Sequence, residues 1–179
     1  MKKNKLIALP SKLPSVGVTI FTVMSKLAGD AGAINLSQGF PDFAVDSELR
    51  ELVAKYMELG HNQYAPMQGV PALRQRIAEK TKELYGASYD PETEITVTSG
   101  ATEALFSAIT CAVNRGDEVI LFEPAYDSYA PAVLLAGGIP VYVTLKHPDY
   151  HIDWNELKDA ITKKTKLHRH FYKVFVKLS

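Results

Sequence analysis

A β-branched segment over residues 95–98 runs directly into Ser99-Gly100 and then into a helical pattern. Alternating β-branched residues predict a strand over 95–98, and Gly100 permits a tight turn after it. The apolar residues that follow share one side of a helix that begins at Ala101: Leu105, Ala108, Ile109 and Ala112. A strand that turns into a helix points several backbone N–H groups at one spot, where the helix dipole adds partial positive charge. The turn therefore suits a phosphate, with the hydroxyls of Ser99 and Thr102 as further donors.

This turn alone does not decide between a ligand site and an ordinary connection, because many α/β proteins contain such turns that hold only water. The segment matches neither G-x-G-x-x-G nor G-x-x-x-x-G-K-[ST]. Dinucleotides and nucleoside triphosphates are therefore not its natural ligands.

Composition narrows the class of protein. The chain has 179 residues, 46% of them hydrophobic, and a formal net charge of zero. That length allows one domain with a core, and balanced charge argues against nucleic acid or an anionic membrane as the main partner. The apolar run from Leu6 to Leu9 is too short for a signal peptide, and no run is long enough to span a membrane, so we expect a cytoplasmic protein. Cys111 lies within the helical pattern, and we expect a buried, unreactive thiol.

The first part of the chain predicts helices separated by glycine-rich loops. Residues 1–17 form an irregular arm, and a helix follows over 18–27. Asp46 is predicted to cap a helix that buries one apolar face: Leu49, Leu52, Val53, Tyr56 and Met57. Pro71 is predicted to begin a third helix that ends at Gly86 and turns these residues inward: Leu73, Ile77 and Leu84.

Two loops in this part leave alternatives open. Gly39 lies either in a surface turn or in a loop that lines a pocket, where the missing side chain would let its amide approach a ligand. Tyr64 either packs its ring in a loop or presents its hydroxyl to a ligand.

From residue 95 the pattern alternates between strand and helix. Strands are predicted over 95–98, 118–122 and 139–145, and helices over 101–115, 126–136 and 153–162. Continuous apolar strands joined by helices indicate a parallel sheet covered on both faces, in which ligands bind beyond the carboxyl ends of the strands. The turn at Ser99–Thr102 and the one that contains Tyr126 are then at the same edge. Tyr126 either stacks on a planar ring or packs in the core.

Four ordered motifs in this chain closely resemble the class I pyridoxal-phosphate aminotransferases, and most of all their methionine, glutamine and kynurenine branch. The motifs are Asn35-Leu36-Ser37-Gln38-Gly39-Phe40-Pro41-Asp42-Phe43, Gln63-Tyr64, Ser99-Gly100-Ala101-Thr102-Glu103-Ala104-Leu105 and Glu123-Pro124-Ala125-Tyr126-Asp127-Ser128-Tyr129. The resemblance extends from about residue 10 to Leu167.

The resemblance implies a role for each matched residue. Gly100, Ala101 and Thr102 would hold the phosphate of pyridoxal 5'-phosphate, and Tyr126 would stack on its pyridine ring. Tyr64 would reach the cofactor phosphate of the partner in a homodimer. Gly39 would line the substrate pocket near the carboxylate of the amino acid or 2-oxo acid.

The family fold implies an α/β, three-layer architecture. A mostly parallel sheet forms the fold-type I large domain, which would be incomplete here, and the N-terminus adds a small-domain segment. The implied division is an arm and small-domain segment over 1–45, a partial cofactor-binding domain over 46–167, and a tail over 168–179 that does not resemble the family.

The family's Schiff-base lysine has no counterpart in this chain. We therefore expect a truncated N-terminal part without a catalytic residue, inactive by itself. Lys146 follows a strand but is not at a family position, so an exposed surface lysine explains it. His168 and His170 are too few for a metal site, and none is expected.

Three functions stay open from the sequence. The first is an aminotransferase by family. The second is a carbon–sulfur β-lyase of the same fold. The third is a non-catalytic relic that binds the cofactor phosphate or dimerises. A nucleotide-binding α/β domain ranks below them, because its glycine pattern is missing.

Overall fold

The computed structural model describes residues 10–39 and 41–167 of the chain. Its described residues form two compact units. The helical unit comprises residues 20–99, and the sheet unit comprises residues 10–19 and 100–167. The domain boundaries expected after residues 45 and 167 stay predictions.

The helical unit contains three helices: α1 (Ile20–Asp30), α2 (Ser47–Glu58) and α3 (Pro71–Tyr85). The Asp46 carboxylate accepts hydrogen bonds from the amides of Glu48 at 2.8 Å and Leu49 at 3.4 Å, which confirms the predicted N-cap. Pro71 is the first residue of α3, and Gly86 ends it in the left-handed conformation with φ 66°, also as predicted.

The predicted burial of the apolar faces of α2 and α3 is wrong. The five apolar residues of α2 are between 40% and 59% exposed, and Leu73, Ile77 and Leu84 of α3 are also exposed. Periodicity identifies which face of a helix is apolar, but burial also needs a second element against that face. Within the described residues, α2 buries no side chain and α3 buries Arg74 and Ala78 instead.

The predicted strand over residues 95–98 is wrong as well. These residues form no strand in the described structure. The Val97 amide donates to the Gln68 carbonyl at 2.9 Å, so the segment bonds to a loop. β-branched residues favour extended backbone, but a strand also requires a ladder of bonds to a neighbouring strand.

The sheet unit alternates helices and strands: α4 (Ala101–Ala112), β1 (Glu118–Glu123), α5 (Tyr129–Leu135), β2 (Ile139–Thr144), α6 (Trp154–Asp159) and β3 (Thr165–Leu167). The three strands form a parallel sheet in the order β2-β1-β3. β1 and β2 pair from Glu118 with Ile139 to Glu123 with Thr144. The α/β class and the incomplete parallel sheet are confirmed.

The core of the sheet unit lies where α4 and α5 cover the central strand. Its members are Ile109, Val113, Val119, Leu121, Ala132 and Val133. Val119, Ile120 and Leu121 are all buried, because the middle strand of a covered parallel sheet buries both of its faces.

Cys111 is exposed, which corrects the expectation of a buried thiol. Two residues of α-helix rotate a side chain by about 200°, so Cys111 and the buried Ile109 lie on nearly opposite sides of α4.

Within residues 10–39 and 41–167, no helix has the length and apolar character needed to cross a membrane. Over the same ranges, no three histidine, cysteine or acidic side chains form a group able to hold a metal ion. His168 and His170 lie outside the described residues.

Candidate functional site

Gly100 gives the turn before α4 its shape. Its φ of 92° and ψ of 170° belong to a region of backbone space that is almost restricted to glycine. The first hydrogen bond of α4 runs from the Ala104 amide to the Gly100 carbonyl at 3.3 Å. The amides of Ala101 and Thr102 precede that bond, so the helix itself does not use them.

The start of α4 offers a donor set that fits an anion. Ala101 and Thr102 are exposed, so the start of α4 is open to solvent. The Thr102 hydroxyl adds a further donor, and the dipole of the helix places partial positive charge at this end. Glu103 lies in the same first turn. Its acidic group competes with a bound anion for that positive charge, which leaves the backbone amides as the main attraction.

Tyr126 follows the carboxyl end of β1 and pairs with Tyr129. Their ring centroids are 5.8 Å apart, and the ring planes are tilted by 55°. Burial raises the pKa of the Tyr129 hydroxyl, and the neighbouring Tyr126 raises it further. Tyr126 is 48% exposed, so part of its ring is accessible beside the tilted ring of Tyr129. A planar ligand ring can stack there.

The connection between α4 and β1 bears on how the start of α4 and Tyr126 are arranged in the sheet unit. The Asp117 amide donates to the Asn114 carbonyl at 3.1 Å, and Gly116 has a φ of 86°, so the chain turns back from helix to strand. In α/β proteins a helix that leads into a strand of a parallel sheet runs antiparallel to it, so the fold class favours an α4 N-terminus on the side of the carboxyl end of β1. That end of a parallel sheet is where ligands bind in α/β proteins.

The other predicted site residues belong to the helical unit. Gly39 is exposed, and no atom lies within 4 Å of the position that its Cβ would take. Tyr64 is fully exposed in the loop between α2 and α3. Ala101, Thr102 and Tyr126 share the sheet unit, and Ser99 is the last residue of the helical unit.

Two residues have structural roles that the sequence did not predict. Tyr129 is three residues from Tyr126, a spacing that brings aromatic rings together at the start of a helix and could have indicated the pair. Arg74 is buried in α3 and bonds to residues 69, 91 and 92. No local pattern marks it, because its partners at 91 and 92 lie far along the chain.

The protein-family model described as aminotransferase class I and II matches residues 26–170 of this chain. The chain belongs to the class I and II aminotransferases. The resemblance drawn from the four motifs is therefore confirmed.

Several members of this aminotransferase family are close in sequence. Methionine aminotransferase of Escherichia coli is 54% identical over 167 residues, which cover 93% of this chain and 43% of that protein. Kynurenine–oxoglutarate transaminase of Dictyostelium discoideum is 38% identical, with 88% of this chain and 40% of that protein covered.

Solved aminotransferase structures share the fold. The Escherichia coli protein whose structure identified a methionine aminotransferase function superposes with a TM-score of 0.85 at 53% identity, covering 89% of this chain and 42% of that one. N-succinyldiaminopimelate aminotransferase of Mycobacterium tuberculosis gives 0.81 at 42% identity, covering 88% and 42%. This aminotransferase chain thus spans about two fifths of the length of the relatives it matches.

Proposed function

We propose that this chain is the cofactor-binding part of a pyridoxal-phosphate-dependent aminotransferase of the methionine type, and that the 179 residues alone do not turn over substrate. The observation that supports the activity is the 54% identity with methionine aminotransferase of Escherichia coli. The observation that supports inactivity is that the chain covers 43% of that relative. The substrates would be an amino acid and a 2-oxo acid.

The proposed roles follow the donor set described above. The amides of Ala101 and Thr102, exposed by the turn at Gly100, would hold the cofactor phosphate. Tyr126 would stack on the pyridine ring. Pyridoxal phosphate, when bound, supplies an electron sink that stabilises negative charge at the α-carbon of an amino acid. This chain's residues would anchor and orient that ring.

Two further residues, both in the helical unit, would also contribute. We propose that Gly39 lines the pocket for the substrate carboxylate and that Tyr64 reaches the cofactor phosphate of a partner subunit. The full exposure of Tyr64 supports a role outside its own unit. A homodimer and a cytoplasmic location are part of the same proposal and derive from the family resemblance.

The phosphate site is tested by comparing pyridoxamine 5'-phosphate with pyridoxamine as ligands of the 179-residue chain in a calorimetric titration. The amine forms lack the aldehyde that reacts with surface lysines, so the difference in affinity reports the phosphate alone. We expect the phosphorylated form to bind at least about tenfold more tightly, since charge-assisted bonds contribute about 1.5–3 kcal/mol each.

Gly100→Ala should reduce that preference by about tenfold, because a side chain at this φ and ψ costs about 1–3 kcal/mol and shifts the amides. Gly86→Ala is the matched control: Gly86 also has a positive φ and open space around it, but it ends α3. Equal binding of the two ligands by the unsubstituted chain would refute the proposed function.

A carbon–sulfur β-lyase is the second candidate, supported by the same phosphate turn and the same stacking tyrosine. Product analysis separates the two once turnover is obtained. A β-lyase releases ammonia and a thiol, whereas an aminotransferase converts its 2-oxo acid co-substrate into an amino acid.

A further inference from the structure

Arg74 is the one charged residue that is buried in the part of the chain that the structure describes, with 4% of its surface exposed. Its Nε donates to the Gly69 carbonyl at 3.2 Å, and its Nη1 donates to the Pro91 carbonyl. Its Nη2 lies 3.3 Å from a carboxylate oxygen of Glu92. A buried guanidinium is costly unless its donors are bonded, and here each of its three nitrogens has a partner.

Gly69 connects Arg74 to a second segment of the helical unit. Gly69 is buried with a φ of 101°, and a Cβ atom there would lie 2.7 Å from Cγ2 of Val97. The adjacent Gln68 carbonyl accepts the Val97 amide at 2.9 Å. The backbone at 68–69 therefore touches Val97 through both a hydrogen bond and a close packing contact, which leave little freedom to slide.

Both contacting segments lead to residues of the proposed site. The Gly69 amide donates to the Pro66 carbonyl at 2.8 Å, which closes a turn over 66–69 two residues after Tyr64. In the other direction, Val97 lies three residues before Gly100 along the chain.

We propose that Arg74 is a positioning residue that holds the Gln68–Gly69 backbone against Val97 and thereby sets the entry of the chain into the turn at Gly100. The proposal rests on the proposed function of that turn. Arg74 touches neither cofactor nor substrate; it acts through Gly69 and Val97. The planar guanidinium suits this task because it bonds acceptors from two separate segments at once, whereas the single nitrogen of a lysine cannot reproduce that fork.

The test uses three variants of the 179-residue chain. Arg74→Lys keeps the charge, Arg74→Met keeps the stem without donors, and Arg76→Met is the control. Arg76 lies two residues further along α3 and is exposed, in an ion pair with Glu79 at 2.6 Å. For each variant, the ratio of the affinities for pyridoxamine 5'-phosphate and pyridoxamine is measured, together with hydrogen–deuterium exchange of peptides that contain Val97.

We expect the affinity ratio to fall about tenfold in Arg74→Met and about threefold in Arg74→Lys, with no change in Arg76→Met. Faster exchange at Val97 should accompany each fall. The ratio distinguishes positioning from a merely structural role, because a smaller folded fraction weakens both ligands equally and leaves their ratio unchanged. If Arg74→Met does not fold, the affinity ratio and the Val97 exchange of Arg74→Lys still test the positioning role.

The two proposals fail differently. If the unsubstituted chain does not prefer the phosphorylated ligand, the proposed function fails, and Val97 exchange still reports whether Arg74 holds that segment. If the preference is present but neither Arg74 variant changes the ratio or the exchange at Val97, the inference about Arg74 is wrong and the phosphate site stands.

Discussion

Gly138 lies buried between α5 and β2, and the position of its missing side chain is directed at two core valines. A Cβ atom there would be 2.6 Å from Cγ1 of Val113 and 3.0 Å from Cγ1 of Val133. The Gly138 amide donates to the Val133 carbonyl at 2.9 Å, so the backbone cannot move away without losing that bond. Close packing of α5 on β2 therefore depends on the absence of a methyl group.

Gly138→Ala is expected to destabilise the sheet unit by about 1–3 kcal/mol, because overpacking forces side chains and backbone to shift. Urea unfolding followed by circular dichroism measures the change. Gly17→Ala is the control, since no atom lies within 4 Å of its Cβ position, and it should change stability by less than about 0.5 kcal/mol. Equal stability of the two variants would contradict the packing argument.

Asp117 makes the stability of the sheet unit depend on pH. The Asn114 amide, which donates to its carboxylate at 2.9 Å, holds the pKa of Asp117 below its ordinary value of 3.8. A lowered pKa means that folding favours the charged form. Its stabilisation is therefore complete above about pH 3.8 and is lost as the pH falls through the lower, folded pKa.

Asp117→Asn should make the loss of stability below pH 3.8 shallower without abolishing it, because the pKa values of Asp90 and Asp153 are lowered as well. Asp149→Asn, at an exposed loop position, is the control. Unfolding free energies measured at pH 2–6 test this expectation. If stability falls as steeply with acid in Asp117→Asn as in the unsubstituted chain, other carboxylates cause the loss of stability.

Local chemistry explains which residues could be predicted from the sequence. Asp46, Pro71 and Gly86 act within one helical turn, so their roles follow from their neighbours in the chain. Arg74 donates a hydrogen bond to Pro91, 17 residues away, and Gly69 packs against Val97. These contacts form only once the chain has folded, so the sequence does not reveal them.

At the scale of elements, α2 is an amphipathic helix. Its apolar face is not buried by any part of the chain that the structure describes. In most proteins the stability of such a helix comes from packing. In this chain the ends and side chains of α2 must supply a larger share of the stability of the helix. The Asp46 cap, with its two amide hydrogen bonds, is then a large part of what holds α2 together.

Asp46→Ala should lower the local stability of α2 by about 1 kcal/mol, since it removes the acceptor for two amides that have no partner within the helix. Hydrogen exchange of peptides from residues 47–58 measures this, and exchange should accelerate about fivefold. Asp46→Asn, which keeps a capping oxygen, should retain most of the protection. If alanine and asparagine behave alike, the cap does not stabilise α2.

Elements of the sheet unit were predicted more successfully than those around residue 95. β1 and β2 are continuous apolar strands with a helix between them, so sequence and tertiary pairing agree. The segment 95–98 has the same residue types but bonds to the loop at Gln68, and propensity cannot identify the partner of a segment.

At the scale of the whole molecule, the chain exposes many large apolar side chains. Besides the apolar face of α2, Ile34, Leu36 and Phe43 are all more than two thirds exposed. Large exposed apolar areas mark surfaces that other protein covers. The family could be predicted from four motifs. The full set of site residues could not be predicted, because the relatives are more than twice as long as this chain.

We predict that the 179-residue chain associates with itself and binds a hydrophobic dye, and that coexpression with the remaining part of the Escherichia coli methionine aminotransferase reduces both. Size-exclusion chromatography and dye fluorescence measure these effects. Leu52→Glu with Tyr56→Lys, on the apolar face of α2, should reduce association of the chain alone, and Glu51→Gln is the control. A monomer that binds no dye would overturn the prediction.

The order of strands also has a consequence for synthesis. β1 occupies the centre of the sheet, yet it precedes both of its partners in the chain. As the polypeptide leaves the ribosome, β1 and β2 can pair once residue 144 has emerged, about twenty residues before β3 emerges. The nascent sheet therefore grows outward from its middle, and the β1–α5–β2 unit can serve as the nucleus to which later segments add.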